Sequence, residues 1–197
     1  GMAQTYVGSN NINLLEPKGQ FGTRLRGGDD AASERYIHTH LTPIARALFP
    51  ESDDAIVRYL DDDGTPVEPV FYAPVIPLAL VNGAKGIGTG FSTDIPSYDP
   101  RALMGATQSW LSGCFDDASH PLVPYYEGFK GTIETTARGK VVIRGTYEIL
   151  NDTQIRVTEL PVGFWTDDFK QLLESLAEPQ GKAKKGVVKD YRDMSTD

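Results

Sequence analysis

Cysteine is almost missing from the 197-residue chain: Cys114 stands alone. That excludes an intrachain disulfide framework and a thiolate cluster for zinc. Long apolar runs are missing as well. No uninterrupted stretch approaches the roughly 18–20 residues a membrane span needs. The N-terminus lacks the basic start and apolar core of a signal peptide. An intracellular protein with no membrane partner is the expectation. Histidine is scarce, and His38 and His40 stand two apart, which is the wrong spacing for a helical pair of metal ligands; His120 is far off. No metal site is expected within the chain.

Net positive charge is missing too. The formal charge is −8, which by itself argues against a polyphosphate partner. Its distribution changes that reading. Residues 51–68 hold seven carboxylates against the single cation Arg58, whereas residues 1–46 hold five cations against four carboxylates. The acidity is local, as on a solvated face turned away from phosphate.

What is present is ordinary for a globular domain: 40% hydrophobic and 23% charged residues. Residues 6–28 mix short apolar pieces with glycine and asparagine and read as short strands joined by turns. Asp30 is expected to cap a helix on which Ile37, Leu41, Ile44 and Leu48 form one apolar stripe, with a kink or split at Pro43. Tyr36 lies off that stripe, on the face that water or a ligand would see. The segment "DDDGTP" reads as a turn. Residues 100–112 read as a helix with Leu103 and Trp110 on one side. "KVVIRGTYEIL" and "TQIRVTELP" read as a strand pair turning near Asn151-Asp152. "TDDFKQLLESLAE" reads as a helix capped by Thr166, with Phe169, Leu172, Leu173 and Leu176 buried. "GKAKKG" reads as a mobile basic link. The class is α+β.

The glycine-dense "NGAKGIGTGF" invites a nucleotide-binding reading, and its spacing refuses it. Thr89 follows Gly88 where a P-loop needs lysine. A dinucleotide fingerprint started at Gly86 or Gly88 would place its third glycine on Phe91 or Thr93. These glycines let the backbone turn sharply or approach something closely. Tyr36, directly after Arg35, has three readings from residue type alone: packing, surface ornament or nucleophile. The third is chemically sound, because an adjacent guanidinium favours the phenolate and stabilises a phosphoryl transition state.

Two long blocks narrow the choice. "YVGSNNINLLEPKGQFGTRLRGGDDAASERY", residues 6–36, and "PVIPLALVNGAKGIGTGFSTDIP", residues 74–96, resemble the DNA breakage-reunion region of type IIA DNA topoisomerases. "GTIE", "VTELP" with its following Trp-Thr, and "KDYRD" continue the family's order, so the resemblance spans essentially the whole chain. "GQFGTR" and "GIGTG" look more like the eukaryotic and viral ATP-dependent enzymes than bacterial gyrase. His38, His40 and Pro43 depart from the family pattern.

The resemblance implies that Tyr36 is the catalytic nucleophile and Arg35 its partner. Ile87, between Gly86 and Gly88, would be the side chain that wedges into bent double-stranded DNA. The loop at 19–28 would bring backbone amides and Arg24 or Arg26 to phosphates. It implies the C-terminal part of a winged-helix domain over residues 1–70, then the first part of a mixed α/β tower domain over 71–197. It also implies a fragment of a homodimeric enzyme, nuclear in a eukaryote and otherwise cytoplasmic. The Mg²⁺ and ATP of the complete enzyme would bind outside this fragment, and the isolated piece would be inactive. The rival reading is a non-catalytic DNA-bending or regulatory module derived from that enzyme.

Overall fold

A computed structural model of the chain describes residues 1–137, 139–178 and 186–196. Among the described residues, four α-helices and eight strands form a mixed α/β chain. The strands pair as four antiparallel hairpins, β1 (Tyr59–Asp62) with β2 (Thr65–Pro69), β3 (Ala84–Gly88) with β4 (Phe91–Ile95), β5 (Thr132–Thr135) with β6 (Val141–Arg144), and β7 (Thr146–Asn151) with β8 (Gln154–Glu159). The helices are α1 (Pro43–Leu48), α2 (Leu78–Val81), α3 (Pro100–Leu111) and α4 (Thr166–Ala177).

The contacts divide the chain into two compact units that interleave along the sequence. The first holds residues 1–5, 10–17 and 39–125, so the chain runs through position 70 without leaving it. The second holds residues 6–9, 18–38 and 126–197.

In the first unit, Leu48, Ile76, Val81 and Leu103 form the core, flanked by half-buried Ile12, Leu14, Phe49 and Tyr98. Polar side chains knit it together. The Ile12 amide donates to Asn82 Oδ1 at 2.9 Å, and Asn82 Nδ2 donates to the Ile12 carbonyl at 2.8 Å. One side chain thereby imitates the edge of a strand. Asn11 Nδ2 reaches the carbonyls of Val81, Tyr98 and Tyr125 at 2.9–3.1 Å. The two blocks "NNIN" and "LVNG" are thus held together by amide side chains as much as by apolar packing.

The long helix expected from Asp30 does not form. Residues 34–36 make a single 3-10 turn, residues 37–42 are extended or bridged, and α1 begins only at Pro43. Proline explains the boundary. It pushes the preceding residue out of helical space, and Thr42 sits at φ −72°, ψ 156°. Pro43 then occupies the first helical position, where its missing N–H costs nothing. Of the expected stripe only Leu48 is buried, while Leu41 and Ile44 are exposed.

Elsewhere the sequence pattern lies nearer the outcome. Asp63 and Gly64 both take positive φ in the β1–β2 turn, the backbone a two-residue hairpin demands. Helix α3 buries Leu103, but Trp110 is 70% exposed and rests edge-on against Phe115 at the helix end. The expected strand pair exists as β7–β8, turning at Asp152-Thr153, but its first strand begins after Gly145 because β6 pairs back onto β5. Helix α4 starts at Thr166 with Trp165 at the cap position and no side-chain cap bond, so Thr166 is its first residue and not its cap. None of its four apolar residues expected to be buried is so: Leu172 is exposed, and Phe169, Leu173 and Leu176 are half-buried. The "GKAKKG" stretch lies outside the described residues but for Gly186.

The reciprocal Ile12–Asn82 pair yields a prediction. Asn82→Ala strands a half-buried donor and acceptor together, so it should cost about 2 kcal/mol in urea unfolding of the chain. A loss below about 0.5 kcal/mol would mean that water replaces the pair without penalty.

Candidate functional site

The Arg35-Tyr36 pair sits on a turn pinned at both ends, within the second unit. On one side the Ala32 amide donates to the Gln20 carbonyl at 2.9 Å. On the other, Lys18 and His38 exchange both backbone hydrogen bonds, at 3.0 and 3.1 Å. Between these ties the chain bulges outward as the 3-10 turn, closed by the Tyr36 amide on the Ser33 carbonyl at 2.9 Å. A bulge in a paired segment re-aims side chains outward, and Tyr36 is 73% exposed. Arg35 is exposed as well, and neither side chain has a hydrogen-bond or ion-pair partner among the described residues. The outward tyrosine expected from helical periodicity is therefore found, by a different geometry.

The loop leading to this turn is closed by one carboxylate. Asp30 Oδ1 accepts from the Thr23 amide at 2.9 Å, and Asp30 Oδ2 accepts from the Thr23 hydroxyl at 2.6 Å and from Gln20 Nε2 at 3.3 Å. Asp30 therefore clasps the loop neck and caps no helix. The Thr23 hydroxyl holds its carboxyl below the usual carboxylate range, against the opposing effect of partial burial. The clasp therefore keeps its charge to lower pH than a free aspartate would.

The loop tip is seated on the end of β8 and the start of α4. Arg24 Nη2 pairs with Glu159 Oε1 at 2.5 Å and donates to the Leu160 carbonyl at 2.7 Å. The Asp167 amide, one of the free donors at the α4 N-terminus, donates to the Leu25 carbonyl at 3.0 Å. Gly27, at φ +63°, lies against the Trp165 indole so closely that a Cβ there would come within 2.2 Å of the ring. The glycine is needed for an intramolecular approach. Tyr6 meets the same indole edge-on at 5.8 Å, and its hydroxyl is pushed to higher pKa, chiefly by burial and then by Asp30 and Asp29.

Arg24, expected to reach phosphate, thus has its guanidinium turned inward. Arg26 is more open: its side chain is 58% exposed and holds Asp167 only at 3.6 Å. Ile87 belongs to the first unit, where it projects from β3 and is 91% exposed. Gly86 and Gly88 flank it inside the strand, and the tight turn lies beyond them at Thr89-Gly90. Among the described residues no group of three or more His, Cys, Asp or Glu side chains could hold a metal ion. The described residues therefore do not by themselves form a Mg²⁺ site. No described helix is long and apolar enough to cross a membrane.

Three residues of this site escape a reading of the sequence. Asp30 looks like a helix cap there, and Glu159 and Trp165 are motif residues without a role. Their only signal is the position of "VTELP" and the following Trp-Thr, more than 120 residues beyond the loop they support.

Comparison with known proteins bears on the family and the fold. Residues 1–197 match the family described as the A subunit of DNA gyrase/topoisomerase IV. The chain is 52% identical to DNA topoisomerase 2 of Arabidopsis thaliana over 197 residues, covering 98% of this chain and 13% of that protein. It is 49% identical to DNA topoisomerase 2-alpha of Rattus norvegicus over 197 residues, covering 100% of this chain and 13% of that one. The chain therefore spans about an eighth of the length of these relatives. In structure it is similar to the Plasmodium falciparum topoisomerase II DNA-binding, cleavage and re-ligation domain. The TM-score there is 0.84 at 44% identity, covering 90% of this chain and 24% of that one. With one family matched from its first residue to its last, and a mixed α/β fold shared with a solved member, this chain belongs to the DNA gyrase/topoisomerase IV family of type II topoisomerases.

Proposed function

We propose that this chain is the tyrosine-bearing part of an ATP-dependent type II DNA topoisomerase. Such an enzyme opens a duplex through 5′-phosphotyrosyl links, passes a second duplex and reseals the first. The observation that carries the reading is the exposed, unpartnered Arg35-Tyr36 pair on a turn tied down at both flanks. The Tyr36 oxygen forms a bond to a backbone phosphorus as the bond to the 3′-oxygen breaks. The proton lost by the phenol is balanced by the one that the 3′-oxygen gains. The phosphodiester energy is kept in the new bond, so the same 3′-hydroxyl reseals the strand by the reverse attack. Arg35 supplies positive charge where phosphoryl charge develops.

Arg26 is proposed as the loop's phosphate contact. Ile87 is proposed as the wedge. Its exposure suits an apolar side chain that unstacks a base step. The flanking glycines support this, because a Cβ at Gly86 would meet nothing within 4 Å. Nothing internal requires glycine there, which suits a surface that DNA approaches closely. By the same resemblance the partners are double-stranded DNA, the remaining domains of the enzyme and a second copy. Mg²⁺ and ATP serve the complete enzyme outside this chain. The names winged helix, for residues 1–70, and tower, for 71–197, rest on that resemblance, and the contact units cut across them.

The test uses the complete polypeptide with supercoiled plasmid and Mg²⁺. Tyr36→Phe should bind DNA nearly as well and form no covalent adduct, because only the attacking oxygen is lost. Arg35→Ala should slow adduct formation about a hundredfold or more with a far smaller effect on binding. The 197-residue chain alone should form none. Adducts that persist in the Tyr36→Phe variant would sink the assignment, and binding without any adduct in the unmodified protein would favour the non-catalytic module.

Ile87→Ala should reduce DNA bending, read by end-to-end fluorescence transfer, while leaving the salt dependence of binding unchanged because no charge is removed. Unchanged bending would return Ile87 to the ordinary surface.

A further inference from the structure

We propose that Glu159 is a positioning residue for Tyr36, acting through Arg24, and that Arg24 is its partner instead of a phosphate contact. The inference rests on the cleavage reading above. The Glu159 side chain is only 5% exposed and that of Arg24 24%. In every other ion pair among the described residues both partners keep more than a quarter of their surface. A carboxylate buried this deeply needs compensation, and it has an ion pair on one oxygen and a hydrogen bond on the other, with no hydrogen bond to Oε1. Arg24 meets Oε1, and the Lys130 amide donates to Oε2 at 3.2 Å. Stability alone would not select such a pair, since apolar side chains of similar volume fill a site as well or better. What the charged pair adds is a fixed position for Arg24 Nη2, which also donates to the Leu160 carbonyl.

That position matters because Arg24 is the tip of the structure that carries Tyr36. From Arg24 the chain passes through the Thr23–Asp30 clasp, the Gln20–Ala32 tie and the Lys18–His38 bridge. The Arg35-Tyr36 turn lies between the last two. The pair is one of several contacts that seat the tip, beside the Asp167–Leu25 hydrogen bond and the Gly27–Trp165 contact. Loosening it lets the ring of ties shift, and a displacement of about 1 Å at a nucleophile costs about a hundredfold in rate. DNA affinity should be spared, because Glu159 and Arg24 are turned away from solvent.

Four variants of the complete polypeptide test this: Glu159→Gln, Arg24→Lys, Arg24→Met, and the double variant Arg24→Met with Glu159→Leu. Thermal midpoint, DNA affinity and the rate of Tyr36-dependent adduct formation are measured for each. Hydrogen exchange at the Gly28, Ala32 and His38 amides is followed on the same proteins. Glu159→Gln should slow adduct formation about ten- to a hundredfold with nearly unchanged affinity, and the three amides should lose protection. Arg24→Lys should recover part of the rate lost in Arg24→Met. The double variant should regain the thermal midpoint and remain slow. Recovery of the rate along with the midpoint would overturn the proposal, since Glu159 would then be structural filling. A fall of about one in the salt-dependence slope of binding for Arg24→Met, with Glu159→Gln unaffected, would also overturn it and return Arg24 to phosphate. No adduct from the unmodified protein would instead overturn the cleavage reading itself. In that event, unchanged amide protection in Glu159→Gln would separately overturn the seat.

Discussion

A tyrosine can act as a nucleophile only if it is both exposed and held still, and these demands oppose each other. Exposure removes the packing that normally fixes a side chain, so the backbone must supply the rigidity. Here it does so with hydrogen bonds. The ties Lys18–His38, Gln20–Ala32 and Thr23–Asp30 brace the chain on both flanks of the Arg35-Tyr36 turn. Each tie is worth only about 1 kcal/mol net. Their arrangement matters more than their sum, because successive ties leave the turn no free hinge. The glycines at 22, 27 and 28 take positive φ so that the loop can fold onto itself and onto Trp165.

That loop gains its support from residues far along the chain. Glu159 at the end of β8, Leu160 after it, and the first amides of α4 all meet the tip. The motif "VTELP" with its Trp-Thr is thus a cradle for the tyrosine loop. Motifs separated by more than a hundred residues answer one mechanical requirement.

How far the sequence reveals this depends on the range of the forces involved. Turn chemistry is local, and "DDDG" can be read directly. The β7–β8 pair and α4 are likewise visible in alternation and periodicity. The 30–48 stretch misleads because its apolar residues fall at helical spacing by coincidence. Leu41 pairs with Leu15 in a bridge, His38 pairs with Lys18, and Pro43 forbids a helix through Thr42. Those contacts cross 20 or more residues and leave no periodic trace. The candidate tyrosine is recognisable because its neighbours form a long unusual block. The inward turn of Arg24 is not, since nothing in "GTRLRGG" says which arginine meets a buried carboxylate.

The most direct measurement of the central claim is to locate the covalent link. Adducts formed on plasmid DNA by the complete polypeptide would be trapped with denaturant, digested with protease and nuclease, and sequenced by mass spectrometry. The account predicts a nucleotide joined through its 5′-phosphate to Tyr36, within the peptide that also carries Arg35. A nucleotide on another tyrosine, or one joined through its 3′-phosphate, would contradict it.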